Sequence, residues 1–147
     1  MKPDQSQLLP PGVSTITLTR HSDRRGDITE IFRNEWLDTP SPVQWLVSRN
    51  EANSLRGVHV HAWHWDYYFV VAGELIVALH DLRPLAPRLS SMLRLNGDRS
   101  QLVAVPPGVA HGLYAPGGAV FLVGTSKYYN PDDDRGCRWN APELGFD

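Results

Sequence analysis

Short runs of β-branched and apolar residues, each cut off by turn-forming residues, set the rhythm of this chain. The runs fall at Ser14 to Leu18, Ile28 to Phe32, Val43 to Ser48, Val58 to Ala62, Tyr67 to Ala72, Leu75 to His80, Arg88 to Leu95, Leu102 to Val105 and Ala119 to Thr125. Between them stand turn signals such as Arg25-Gly26-Asp27, Ala72-Gly73-Glu74, Asn96-Gly97-Asp98, Pro106-Pro107-Gly108 and Pro116-Gly117-Gly118. Strands of this length and spacing predict an all-β sandwich or barrel. Very little helix is expected, because twelve Pro and twelve Gly leave few windows long enough for one. The best helical candidate is one short turn near Asn34 to Leu37. Residues 1–12, ending in Leu8-Leu9-Pro10-Pro11-Gly12, read as a flexible arm that docks its leucines on a neighbour, and residues 13–147 as one domain.

One stretch stands apart from this rhythm. Arg56 to Gly73, RGVHVHAWHWDYYFVVAG, holds three of the six histidines ahead of the most apolar run. Side chains alternate along a strand, so His59 and His61 share a face while Asp66 falls on the other. For the three to converge, the strand must break between them, and Ala62-Trp63-His64-Trp65 is where a loop or bulge is expected.

Composition narrows the function classes. A formal charge of −2 with no Lys/Arg run excludes the basic face that nucleic acid requires. Cys137 is the lone cysteine, so no internal disulfide forms. The start, MKPDQSQLLPPG, has no apolar core of signal-peptide length and no window reaches a membrane span, so a soluble cytoplasmic protein without membrane contact is expected. The acidic triplet Asp132-Asp133-Asp134 reads as a device that keeps a loop solvated, with no functional meaning.

The histidines point to two chemistries. His59 and His61, with Asp66, and later Pro106-Pro107-Gly108-Val109-Ala110-His111, fit the two sequence blocks of the cupin barrels, HxH with an acidic residue and then PxGxxH. In many cupins the matching residues, here His59, His61, Asp66 and His111, hold a divalent transition metal, for which imidazole nitrogen and carboxylate oxygen are suitable ligands. Cupins usually have Glu where Asp66 stands.

Over about Ser22 to Phe146 the chain resembles a narrower family, the dTDP-4-dehydrorhamnose 3,5-epimerases, and more loosely the dTDP-sugar 3,4-ketoisomerases. The resemblance rests on motifs in order: Asp23-Arg24-Arg25-Gly26 with Glu30 and Phe32, Gln44, Leu55-Arg56-Gly57-Val58-His59, Asp81-Leu82-Arg83, Pro107-Gly108-Val109-Ala110-His111-Gly112, and Tyr128-Tyr129-Asn130-Pro131 leading to Arg135-Gly136-Cys137-Arg138-Trp139. It implies a cupin double-stranded β-helix, an antiparallel jelly roll, assembled as a homodimer. It also implies proton abstraction beside the ketone of a nucleotide-linked 4-keto-6-deoxy sugar, without a cofactor. His59 matches the base and His61 its partner. Arg56 fits a substrate-facing cation, and Arg25, Glu30, Gln44, His111 and Tyr129 match positions that line the sugar-nucleotide pocket. Trp63 and Trp65 are candidates for stacking on a base or sugar.

The chain departs from the family at three points. Val123 stands where the epimerases carry a tyrosine acid, and Asp66 falls where they carry a lysine. The aspartate that orients their base, found in a C-terminal extension, has no counterpart before Asp147. Tyr114, three residues past His111, is a candidate replacement acid. Two other readings stay open at this point: a metal-binding cupin enzyme using His59, His61, Asp66 and His111, and a non-catalytic sugar-nucleotide binding module.

Overall fold

The computed structural model describes residues 8–144, and residues 1–7 of the expected arm and the last three residues lie outside the described part. Eleven strands follow one another: β1 (Ser14–Thr17), β2 (Arg20–Asp23), β3 (Gly26–Thr29), β4 (Gln44–Asn50), β5 (Ser54–Val60), β6 (Asp66–Asp81), β7 (Ser90–Asn96), β8 (Gln101–Val105), β9 (Val109–Ala115), β10 (Ala119–Thr125) and β11 (Arg135–Gly136). All ladders are antiparallel. The fold is the jelly roll that the resemblance implies. Two single 3₁₀ turns, Pro131–Asp133 and Pro142–Leu144, are the helical content of the described residues, and the expected turn near Asn34 is closed only by Trp36 N–H donating to the Arg33 carbonyl.

The long strand β6 joins the two layers. Its first half pairs with β8 and β10, extending one sheet in the order β1-β8-β6-β10-β4. Its second half pairs with β7 and β9, giving β7-β6-β9-β5-β11. The expected turn at Ala72-Gly73-Glu74 is therefore a bend inside one strand. Gly73 supplies it at φ +80°, where an added Cβ would lie 2.2 Å from the Gly118 carbonyl oxygen. The register with β10 skips Val71 at the same place, so a bulge sharpens the bend.

Tyr68, Val70, Leu75, Val77, Leu79 and Phe121 pack between the layers. Tyr67 and Phe69 face the opposite way, where Ile31, Phe32, Trp36 and Leu37 cover them. Burial on both faces is why this run is continuously apolar rather than alternating. It also explains why the expected strand from Ile28 stops at Thr29: beyond it the chain lies across β6 as coil. β2 was not legible because its four residues, Arg-His-Ser-Asp, are all polar and exposed.

Leu9 packs against the main core, while Leu8 is 69% exposed. Arg83 holds this N-terminal stretch by donating to the Pro11 carbonyl at 2.6 Å.

Candidate active site

β5 ends at Val60 and β6 begins at Asp66, so the strand breaks across Ala62–Trp65 as the alternation argument requires. Histidine 111 sits in β9, a strand absent from the sequence reading, and faces His59 directly as its cross-strand partner. Gly57 makes the close approach of β5 and β9 possible: at φ +86°, its missing Cβ would lie 2.9 Å from the His111 carbonyl oxygen. The His59 ring centroid is 4.6 Å from those of both His61 and His111. The three imidazoles share one hollow.

That hollow opens into a cavity of about 400 Å³, lined among others by Gln44, Arg49, Arg56, His59, His61, Asp66, Tyr68, Val123, Lys127 and Tyr129. Arg56 is aimed by Asn50, whose Oδ1 accepts from its Nε at 2.6 Å. Gln44 Oε1 accepts from the backbone of Tyr129 at 2.9 Å and ties the Tyr129 loop to the cavity rim. His111 lies behind this wall, 1% exposed.

The structure does not bring Arg25, Glu30 or Tyr114 to this cavity. Arg25 lies in the β2–β3 turn, 82% exposed and paired with Asp23, and Glu30 is paired with Arg33 beside a different hollow. Tyr114 follows Leu113 on β9; Leu113 lines the cavity, so alternation turns Tyr114 away, where its hydroxyl donates to Asn53 Oδ1 at 3.1 Å. Trp63 is 54% exposed, and Trp65 packs on the outer apolar cluster. Neither indole lines the cavity.

The acidic triplet contradicts its sequence reading. Asp133 is 3% exposed and accepts from Ala62 N at 2.7 Å, Trp63 N at 3.3 Å and His64 Nδ1 at 2.8 Å. It clamps the loop that breaks the strand. Asp134 Oδ1 lies 3.2 Å from His59 Nδ1. No local pattern shows this, because the pairing of β11 with β5 is what carries the triplet to the histidines. Tyr68 was missed as well. It is the cross-strand partner of Val123, and its hydroxyl donates to Asp66 Oδ2 at 3.2 Å, so a phenol stands one strand over from the position where the resemblance places a tyrosine.

Charge is distributed unevenly among these groups. Burial, and then the neighbouring His111 and His61 rings, push His59 down to about 4. Burial likewise lowers His61. Both rings are neutral at neutral pH, so both can accept a proton. Burial alone would raise Asp66, yet the adjoining His111 and His64 rings hold its carboxyl well below the carboxylate range. His64 is raised in spite of its burial, because it lies between Asp66 at 3.3 Å and Asp133 at 2.8 Å.

Among the described residues, two groups have the composition of metal ligands: His59, His61, Asp66 and His111, and the adjoining His61, His64 and Asp133, with ligand atoms in each group within 4.8 Å of one another.

The family model described as dTDP-4-dehydrorhamnose 3,5-epimerase matches residues 8–147. The chain belongs to this family. Among its relatives is the spore coat polysaccharide biosynthesis protein SpsL of Bacillus subtilis, 29% identical over 92% of this chain and 93% of that protein. The dTDP-4-dehydrorhamnose 3,5-epimerase of Escherichia coli is 30% identical over 85% of this chain and 74% of that enzyme. Among solved structures, the family epimerase of Legionella pneumophila in complex with dTDP-4-keto-L-rhamnose superposes with a TM-score of 0.83 at 25% identity, covering 92% of this chain and 77% of that one. Family membership makes the chain an isomerase of the epimerase type. No helix among the described residues is long and apolar enough to cross a membrane.

Proposed function

We propose that this protein enolises a dTDP-linked 4-keto-6-deoxy sugar, with His59 as the base. The observation that carries the reading is the neutral His59 ring in a cavity of sugar size, with Asp134 Oδ1 3.2 Å from its Nδ1 and with Arg49, Arg56 and Lys127 on the same walls. In the step shared by epimerisation and keto migration, His59 Nε2 takes the proton from carbon beside the ketone. The C–H electrons form the carbon–carbon double bond, and the carbonyl electrons move to oxygen as an enolate. Return of a proton to carbon restores the ketone.

Asp134, with Oδ1 3.2 Å from Nδ1, favours the tautomer that carries its proton there and so keeps Nε2 as the acceptor; the same logic operates in other acid–base assemblies with an acidic third member. From the loop before β11 it stands where the resemblance would have an aspartate orient the base. His61 is the partner histidine, and Tyr68 is the buried phenol closest in the fold to the site of the family tyrosine. Arg56, Arg49 and Lys127 supply the positive charge that a diphosphate needs.

Three coarser points complete the reading. Residues 13–147 act as one unit and the site of action is the cytoplasm. A homodimer, implied by the resemblance, is supported by the exposed apolar residues Val43, Trp45, Leu46 and Val47 at and beside β4. Sedimentation equilibrium measures that mass directly.

The function is tested by incubating the protein with dTDP-4-keto-6-deoxyglucose in deuterated water and following C3 and C5 by NMR and mass spectrometry. Deuterium at either carbon, dependent on His59, is the expected result. Binding of dTDP without any incorporation would make the protein a binding module instead.

A further inference from the structure

Asp134 reaches His59 from a segment with almost no packing of its own. Between Asp133 and Leu144 every described residue is exposed except Ala141, which is half-buried. β11 contributes two residue pairs, Arg135 with Val60 and Gly136 with His59, and one further bond runs from Cys137 N to the Val58 carbonyl at 2.8 Å. A ladder this short is marginal by itself. On its upstream side it is anchored by Asp133, which is clamped to the loop of Ala62, Trp63 and His64.

Leu144 is the anchor on the other side. It is 1% exposed and joins Val58 and Ala110 in an apolar cluster separate from the core between the layers. Val58 directly precedes His59, and Ala110 directly precedes His111. Alternation therefore turns the two histidines to the cavity and this cluster to the outer face of the same two strands. Ala78 of β6 packs against the cluster, and Ser90 of β7 donates from Oγ to the Leu144 carbonyl at 2.7 Å. In the order β7-β6-β9-β5-β11, residues 137–144 thus leave one edge of the sheet and fasten at the other. They form a strap across the back of the strands that carry the histidines.

We propose that this strap is a positioning element of the site: Leu144, buried behind His59 and His111, keeps β11 on β5 and thereby holds Asp134 against the His59 ring. Leu144 is not among the residues that line the cavity, so it acts through Asp134 and not on the substrate. Its effect on rate rests on the enolisation reading, whereas its effect on the ring does not.

The test is a double-mutant cycle in the full-length chain. Leu144→Ala should slow deuterium incorporation into dTDP-4-keto-6-deoxyglucose by about ten- to a hundredfold, the effect of a small displacement of a working group. Affinity for dTDP should stay at the wild-type value, and Leu144→Met, which conserves volume, should restore most of the rate. In an Asp134→Ala background Leu144→Ala should cost nothing further, because the group it positions is gone. Ser90→Ala should act in the same direction and be cancelled by the same background, and it carries the cycle if Leu144→Ala does not fold. Additive losses, or a folded Leu144→Ala chain with the wild-type rate, overturn the strap. Nitrogen NMR of the histidine rings without substrate, with His59→Asn identifying the His59 signals, supplies a second readout. Leu144→Ala and Ser90→Ala should reduce the tautomer protonated at Nδ1, as Asp134→Ala does. If wild-type protein exchanges no deuterium but the ring responds, the enolisation reading fails and the strap stands; if exchange occurs and the ring does not respond, the strap alone fails.

Discussion

Asp134 Oδ1 lies 3.2 Å from Nδ1 of His59, two residues separated by about half the chain. The contact depends on a short series of local events. Asn130 Oδ1 accepts from Asp132 N at 3.0 Å and caps the 3₁₀ turn of Pro131–Asp133, after which Arg135 and Gly136 pair with Val60 and His59. The carboxylate therefore arrives beside the His59 ring, and both residues line the cavity.

If His59 is the base, His59→Asn should lower deuterium exchange by about 10² to 10⁴-fold, the usual value of a positioned proton acceptor. Asp134→Asn should lower kcat less than this, and by a larger factor than it raises KM, because the carboxylate sits against the His59 ring. Stopped-assay kinetics on both variants measure the split. An Asp134→Asn enzyme with raised KM and normal kcat would contradict a positioning role.

Asp133 carries structure rather than catalysis. Asp133→Ala leaves the N–H groups of Ala62 and Trp63 and the His64 ring without their acceptor inside a buried site. A loss of about 3 kcal/mol is expected, since hydrogen bonds to a charged group are worth more than neutral ones. Urea denaturation should show a lower midpoint with an unchanged slope.

Arg56 is predicted to bind and not to react. Its Nε is fixed by Asn50 Oδ1, so the guanidinium is held at the cavity wall. Arg56→Gln should weaken dTDP binding about tenfold, the worth of one charge-assisted hydrogen bond. Calorimetric titration with dTDP checks this, and Asn50→Ala should produce a smaller change in the same direction.

Acid stability should depend on Asp81, whose residue is fully buried and bonded to Arg83 at 2.6 and 2.9 Å. The Arg83 guanidinium lowers its carboxyl from the ordinary 3.8. The unfolded chain therefore binds a proton more readily than the folded one. Stability from this pair is fully present above pH 3.8 and is lost as pH falls through the lower folded value. Asp81→Asn should flatten the acid limb of the stability curve and lower stability at neutral pH, as followed by circular dichroism.

Much of this was legible in residues 44–125. The strand runs, the bend residues and the break at Ala62–Trp65 follow from alternation and from glycine, which act over a few residues. Identity of the family was also legible, because its motifs keep their order along the chain. The reading failed where polarity and structure part company. Polar β2 forms a strand because a two-residue turn pairs it with β3, and polar Asp133 is buried because three donors await it.

By itself, the sequence determined an all-β jelly roll and the grouping of His59, His61 and His111. Only the tertiary structure decided that Asp133 and Asp134 serve the histidines, that Tyr68 is the phenol facing Asp66, and that Arg25, Glu30 and Tyr114 lie elsewhere in the chain's own fold. The reason is physical. Alternation and turn chemistry are written in neighbouring residues, whereas the approach of a loop to a strand sixty or seventy residues away depends on how the sheets close around a shared core.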